Sequence, residues 1–311
     1  MSASTRNSCW LVRWLSLTVA VSRTACEAPG DQPPRPVAAD MPAARLISTT
    51  IGRIAVRDFG QGPQTLVLWP SILADHSIYA EQIRAWRTQY RLVVIDGPGH
   101  GDSGAPAAPF TMAQCAQALA EVLDALGEQR PVVVLGTSWG GLVAGEFAIA
   151  YPARTAGVVM LNTPVLNEEA GPSFADRFVV WGARWIHGMQ LYSDGVARAF
   201  FLPETRERGG PLLDRFHAHL HRADGYALSV AVRSVLIDRA PLAPRMDRIA
   251  APTLFVAGTQ DTMYPVATLR DAAAKLPRGT FVELPTRHIS VVDAPAATTM
   301  AVDEFLQTLK R

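Results

Sequence analysis

The sequence predicts an α/β protein with a doubly wound, mostly parallel sheet and an inserted helical lid. Three observations lead to this prediction. Short apolar runs alternate with helix-compatible segments along most of the chain, which is the pattern of strand–helix–strand units. One run ends in the turn Gly136-Thr-Ser-Trp-Gly-Gly141, and a helix-compatible segment follows. Between Asn162 and Ala250 the alternation stops, and apolar residues recur at helical spacing instead.

The predicted strands are short. Residues 45–50 and 53–59 alternate apolar and polar side chains around Ile51-Gly52, as the two strands of an antiparallel hairpin at a sheet edge do. Continuous apolar runs predict buried strands at residues 65–69, 91–95, 132–135, 157–161, 253–258 and 280–284.

Helices are predicted between these strands. Residues 78–86 place Ile78, Ile83 and Trp86 on one inward face. Thr111 begins the next helix, because Gln114 three residues later completes a capping box. The last helix covers residues 298–309.

The predicted core comprises residues 41–164 and 250–311, and the lid comprises residues 165–249. A stripe with steps of three or four residues marks an amphipathic lid helix; it consists of Phe174, Phe178, Trp181, Trp185, Met189 and Tyr192. We expect most of these side chains to pack the lid against the core, with Trp181 and Trp185 as candidates to line a substrate pocket together with Trp69 and Met263.

Composition excludes several classes of partner. The chain has 311 residues and a formal net charge of +1, so no nucleic-acid partner is expected. It has no Gly-rich phosphate loop, and three cysteines give no disulfide framework. His217 and His221 share a helical face, but no acid–histidine pattern completes a zinc site. We therefore expect neither a metal nor a cofactor.

Residues 1–40 are predicted to lie outside the core. An apolar stretch with flanking arginines precedes Cys26 and a Pro-rich run. The sequence leaves three interpretations of this segment open. It is a signal peptide with Cys26 as a lipidated residue, it is a tail, or the true start of the chain is Met41. We expect a cytoplasmic protein, with export as the alternative, and no stable membrane span, because no run of about 20 apolar residues occurs.

The turn around Ser138 indicates a nucleophile. Strand, Gly-x-Ser-x-Gly and helix together are the context of a nucleophile elbow, in which the serine hydroxyl projects above the sheet. A nucleophilic serine needs a base, and the base needs an orienting acid. Asp261 follows the strand at 253–258, and His288 follows the strand at 280–284. The sequence therefore predicts the triad Ser138, Asp261 and His288.

Four segments of the chain, in this order, resemble the α/β-hydrolase superfamily. They are Asp96-Gly-Pro-Gly-His-Gly-Asp-Ser103, the turn around Ser138, Gly258-Thr-Gln-Asp261-Thr-Met-Tyr-Pro265, and Arg287-His288-Ile-Ser290 ahead of Asp293-Ala-Pro295. Within the superfamily the chain looks most similar to the bacterial esterase and enol-lactonase group. The resemblance implies that the backbone N–H groups of Ser71 and Trp139 form an oxyanion hole.

Two positions depart from the family pattern. Trp69-Pro70-Ser71 stands where the family usually has His-Gly, and Arg287 stands where it often has Gly. Proline lacks an N–H but precedes the implied donor, so it stiffens the loop without deleting the bond. We expect Arg287 to point to solvent; the alternatives are that it lowers the pKa of His288 or meets an acidic substrate.

Other polar residues receive structural interpretations. Asn162 occupies the family's rival acid position, but an amide is no charged partner for a histidine. We expect His100 and Asp96 to organise the turn after the fourth strand, and we give His76 no catalytic role.

The sequence thus predicts a serine hydrolase that cleaves a small carboxylic ester or lactone. Alternatives are carbon–carbon bond hydrolysis, perhydrolysis or acyl transfer by the same triad, and a ligand receptor with very low turnover.

Overall fold

A computed structural model describes residues 41–166 and 172–310 of the chain. Its eight strands are β1 (Arg45–Thr49), β2 (Gly52–Phe59), β3 (Thr65–Trp69), β4 (Arg91–Asp96), β5 (Val132–Thr137), β6 (Thr155–Leu161), β7 (Thr253–Gly258) and β8 (Gly279–Leu284). They form one sheet in the order β1-β2-β4-β3-β5-β6-β7-β8. β2 pairs antiparallel with β1 and β4, and all other pairs are parallel. The predicted edge hairpin and mostly parallel sheet are confirmed.

Helices connect the strands as expected for this class. They are α1 (Ala80–Trp86), α2 (Met112–Ala125), α3 (Trp139–Ala150), α4 (Phe174–Trp185), α5 (Gln190–Phe200), α6 (Pro203–Arg208), α7 (Pro211–Arg222), α8 (Gly225–Leu236), α9 (Val266–Ala273), α10 (Ser290–Asp293) and α11 (Pro295–Thr308). The predicted capping box of Thr111 and Gln114 begins α2. α11 begins at Pro295, earlier than predicted, because proline suits the first turn of a helix.

The core lies on both faces of the sheet. Every residue of β3 and β5 is buried, as is typical of central parallel strands. The predicted inward residues Ile78, Ile83 and Trp86 are buried too.

The predicted packing of the aromatic stripe against the core is wrong. Of its six members only Tyr192 is buried. α4 instead buries its small residues Gly182 and Ala183, and a Cβ at Gly182 would overlap the ring of Tyr192. Small side chains let two elements approach closely, so α4 packs by this narrow face and turns its aromatic rings outward.

The predicted domain boundaries stay predictions. Residues 1–40, with Cys26 and the predicted export signal, lie outside the described residues, as do residues 167–171. The described part of residues 165–249 contains α4 to α8. Among the helices of the described ranges, none combines the length and apolarity that crossing a membrane requires.

Candidate active site

Ser138 lies in the tight turn between β5 and α3. Its backbone has φ 55° and ψ −110°, a conformation that costs a non-glycine residue about 1–3 kcal/mol. Neighbours hold it there: Ser138 N–H donates to the carbonyl of Leu161 at 2.7 Å. A Cβ at Gly136 would overlap Gly140, and a Cβ at Gly140 would overlap the carbonyl oxygen of Trp69. Both glycines of the motif are therefore required by close backbone approach.

The structure brings Ser138, His288 and Asp261 together. His288 Nδ1 lies 2.7 Å from Asp261 Oδ2, and His288 Nε2 lies 2.8 Å from Ser138 Oγ. Because a carboxylate only accepts hydrogen bonds, Nδ1 carries the proton and Nε2 is left to accept from the serine hydroxyl. Asp261 Oδ1 accepts from the N–H of Met263 at 2.9 Å. The three side chains form one hydrogen-bonded chain that can remove a proton from Ser138.

Two side chains to which the sequence analysis gave no role, those of Asn162 and Asp293, hold the histidine loop. Asn162 follows β6 and has φ 48°, and its Nδ2 donates to the carbonyl of Arg287 at 3.0 Å. Asp293 accepts from the N–H groups of Arg287 and Leu202 through separate oxygens. Burial raises the pKa of Asp293, although both N–H groups oppose this effect. The only sequence signal for Asp293 was its place next to Pro295 in the histidine loop.

Arg287 does not simply point to solvent. Its guanidinium donates to the carbonyl of Arg198 in α5. It therefore ties the histidine loop to the helices between β6 and β7.

The segments that carry the implied oxyanion donors lie against each other. Ser71 follows β3 and Trp139 begins α3, where the first N–H groups have no partner within the helix. Tyr79, buried beneath them, donates from its hydroxyl to the carbonyl of Trp69 at 2.7 Å and accepts from the N–H of Thr137 at 3.0 Å. This hydroxyl links the loop after β3 to the turn before Ser138. No sequence pattern identifies Tyr79, because its partners are distant in the chain or are backbone groups.

The side chains of the candidate triad are covered. Ser138 is 3% exposed and His288 is 2% exposed. The ring centroids of Phe200 and Tyr264 lie 5.4 Å and 5.5 Å from that of His288. Phe200 ends α5, so part of the cover comes from the helices between β6 and β7. Arg239 from the same region is hydrogen-bonded to Tyr264, and burial lowers its pKa.

The four candidate pocket residues do not converge. Trp69 is fully buried and packs edge-to-face on Trp139 at 5.6 Å. Trp181 and Trp185 line a groove of about 370 Å³ between α4 and α8, whose lining contains no triad residue. Met263 is partly exposed and directly contacts Asp261 through its N–H. The sequence could not tell whether Trp181 and Trp185 face a substrate pocket, because the rotation of α4 about its axis decides where their rings point.

Asp96 organises the turn after β4, as predicted. Burial disfavours its charge, but hydrogen bonds from His76 and from the N–H of Asp102 outweigh this and lower its pKa. His76 Nδ1 lies 2.9 Å from Asp96 Oδ1, and Arg57 binds Asp96 Oδ2 at 3.1 Å. This network fixes the loop on which His100 lies.

His100 has a structural role. Its Nε2 accepts from the N–H of Leu73 at 3.0 Å, and burial lowers its pKa to about 3. A neutral imidazole therefore connects the loops after β3 and β4.

His217 and His221 both contact the hydroxyl of Ser193, at 2.9 Å and 3.0 Å. No cluster of three metal-ligating side chains occurs within residues 41–166 and 172–310.

Comparison with known proteins identifies the family. A model described as the alpha/beta hydrolase fold matches residues 64–295, and the chain belongs to this family. It is 28% identical over 255 residues to 3-oxoadipate enol-lactonase 2 of Acinetobacter baylyi, covering 80% of this chain and 91% of that protein. It is 26% identical over 271 residues to a poly(3-hydroxyalkanoate) depolymerase of Ectopseudomonas oleovorans, covering 82% and 88%.

The fold agrees with solved structures. The crystal structure of an enol-lactonase from Burkholderia xenovorans superposes with a TM-score of 0.77 at 26% identity, covering 85% of this chain and all of that one (100%). The predicted resemblance to the esterase and enol-lactonase group is confirmed.

Proposed function

We propose that this α/β-hydrolase cleaves a small carboxylic ester or lactone through an acyl-enzyme on Ser138. The observation that carries the proposal is the continuous chain of hydrogen bonds from Ser138 through His288 to Asp261. The matched enol-lactonase and polyester depolymerase sequences support an ester bond as the target.

The reaction follows from the geometry. His288 Nε2 takes the proton of Ser138 as its oxygen attacks the acyl carbon, and Asp261 stabilises the imidazolium that forms. The N–H groups of Ser71 and Trp139 would hold the oxyanion, each such donor contributing about 2.7–4 kcal/mol to transition-state stabilisation. His288 then protonates the leaving alcohol. Water, deprotonated by His288, then attacks the acyl carbon; as the acyl–oxygen bond breaks, His288 returns the proton to Ser138 and the acid is released.

Residues 165–249 are proposed as the lid. The N–H of Ile289, next to His288, donates to the carbonyl of Phe200 at 3.2 Å, and Arg287 donates to the carbonyl of Arg198. Because Ser138 is almost fully covered, a substrate needs displacement of some covering side chains. Phe200, whose ring lies 5.4 Å from that of His288, is one such side chain of this segment.

The test is hydrolysis of a p-nitrophenyl ester series, from acetate to decanoate, and of small lactones. Ser138→Ala should lose roughly 10⁶-fold in kcat, by analogy with triad serines elsewhere. Asp261→Asn should lose roughly 10⁴-fold, because it favours the wrong imidazole tautomer. Ser229→Ala is the matched control, a buried serine of α8 whose hydroxyl binds only the carbonyl of Tyr226.

Activity retained by Ser138→Ala would refute the mechanism. Product analysis distinguishes the other reactions of the same triad, since ester or lactone cleavage alone yields the simple acid and alcohol. Absence of turnover on every substrate class, together with tight binding of one of them, would favour the receptor.

A further inference from the structure

The outward face of α4 carries four aromatic rings that are about half exposed or more. Phe174, Phe178, Trp181 and Trp185 are 84%, 49%, 49% and 64% exposed. Their spacing of four, three and four residues puts all four rings on one side of the helix. Single exposed apolar side chains are ordinary, but a contiguous patch of this kind marks an interaction surface.

Two arginines accompany these rings. The Arg184 guanidinium lies over the ring of Trp185 at 4.4 Å and near that of Tyr226 at 5.5 Å. Within residues 41–166 and 172–310, neither Arg177 nor Arg184 forms an ion pair with a carboxylate. The acid of α4, Asp176, accepts from the N–H and hydroxyl of Ser173 at the helix start. With one aspartate and two arginines, α4 carries a net positive charge.

The groove between α4 and α8 is also lined by both tryptophan and arginine side chains. The indoles of Trp181 and Trp185 line it beside the guanidinium groups of Arg177, Arg184 and Arg233. Arg233 is neutralised by Asp238, so Arg177 and Arg184 supply the charge available to a partner. Tryptophan rings are favoured at the headgroup level of a bilayer, and arginine stems lie along apolar surface while their heads bind phosphate.

We propose that α4 docks on an anionic lipid surface. The four rings enter the boundary between headgroups and acyl chains, and Arg177 and Arg184 bind lipid phosphates. A second copy of the chain fits this face less well. A two-fold contact through α4 would oppose the arginines of one copy to those of the other.

α4 belongs to the segment proposed as the lid, and Phe200 of the same segment packs on His288. The docking itself does not depend on the proposed reaction.

The test is co-sedimentation of the full chain with large unilamellar vesicles of phosphatidylcholine alone or mixed with phosphatidylglycerol. We expect binding to the anionic vesicles that weakens as salt is added. Trp181→Ala/Trp185→Ala should lower the partition coefficient more than tenfold. Arg177→Gln/Arg184→Gln should lower it roughly fivefold for each arginine, and only on anionic vesicles.

Controls use exposed side chains of the same chemical kind elsewhere on the protein. Met300→Ala on α11 removes an exposed apolar side chain, and Arg53→Gln/Arg278→Gln removes two exposed cations; all should bind as the unaltered chain does. Every variant keeps residues 1–40, so a difference among them reports α4. Circular dichroism and thermal melting verify folding without any assumption about activity.

Failure to bind anionic vesicles at low salt would overturn the proposal, as would equal binding by all variants. Loss of a dimer in Trp181→Ala/Trp185→Ala, seen by light scattering without vesicle binding, would overturn it in favour of self-association.

Discussion

The turn around Ser138 and helix α5 use glycine under opposite constraints. At Gly136 and Gly140 an added Cβ would overlap backbone atoms of neighbouring elements, whereas at Gly195 in α5 no atom from another part of the described structure lies within 4 Å of that position. The difference indicates where positional accuracy is needed. The turn must aim one hydroxyl at His288, whereas the middle of α5 has room for a larger side chain.

The largest expected effect concerns the closely packed turn around Ser138, where the added side chain has no room. Gly140→Ala should destabilise the protein by about 3 kcal/mol, because the new methyl overlaps the carbonyl of Trp69 and strand β3 cannot yield without disturbing the sheet. Gly195→Ala is the matched control and should stabilise the protein by about 0.5–1 kcal/mol, as alanine does in an open helix interior. Denaturant unfolding measures both. Equal effects of the two substitutions would contradict the comparison.

A smaller effect is expected at Asn162, which joins the two regions through the histidine loop. Asn162→Ala removes the donor to the carbonyl of Arg287 and leaves an alanine at positive φ, for a loss of about 2 kcal/mol. It should also lower kcat more than it raises KM, since it loosens His288 rather than a binding contact. Asn162→Gly relieves the backbone strain and isolates the lost hydrogen bond. An unchanged kcat in both variants would show that Asn162 does not position His288.

The smallest effect concerns the pH dependence of the loop after β4. Burial and the charge of Arg57 lower the pKa of His76. The hydrogen bond to Asp96 and the negative charges of Asp96 and Asp75 raise it by more, so the pKa of His76 lies above 6.5. Because the folded pKa exceeds the unfolded value, this pair stabilises the protein fully below pH 6.5. The stabilisation is lost as pH rises through the folded pKa.

His76→Gln should therefore cost up to about 1 kcal/mol at pH 6, where the imidazole is charged, and less at pH 9, where it has lost its proton. Melting temperatures of both proteins across this range measure the difference. A gap that widened with rising pH would contradict the sign of the shift.

The sequence alone determined the fold class and indicated the three residues of the candidate triad. Parallel strands are covered by helices on both faces, so each strand is a short apolar run and each run is followed by a helical segment. This pattern is visible within short stretches of the sequence. Ser138, Asp261 and His288 each follow a strand, and the carboxyl ends of parallel strands share one edge of the sheet. Their positions in the chain therefore implied proximity, and the hydrogen bonds among them agree with it.

Tertiary structure alone decided which side of α4 is buried. Both the aromatic stripe and the Gly182-Ala183 pair could form the buried face of α4, and helical spacing alone does not decide which of them is buried. Close approach of Tyr192 selected the small face and left the rings in solvent. Tyr79 and Asp293 were equally hidden, because their main partners are backbone groups of distant segments. Backbone groups are the same in every residue, so only the folded chain reveals which side chain meets them.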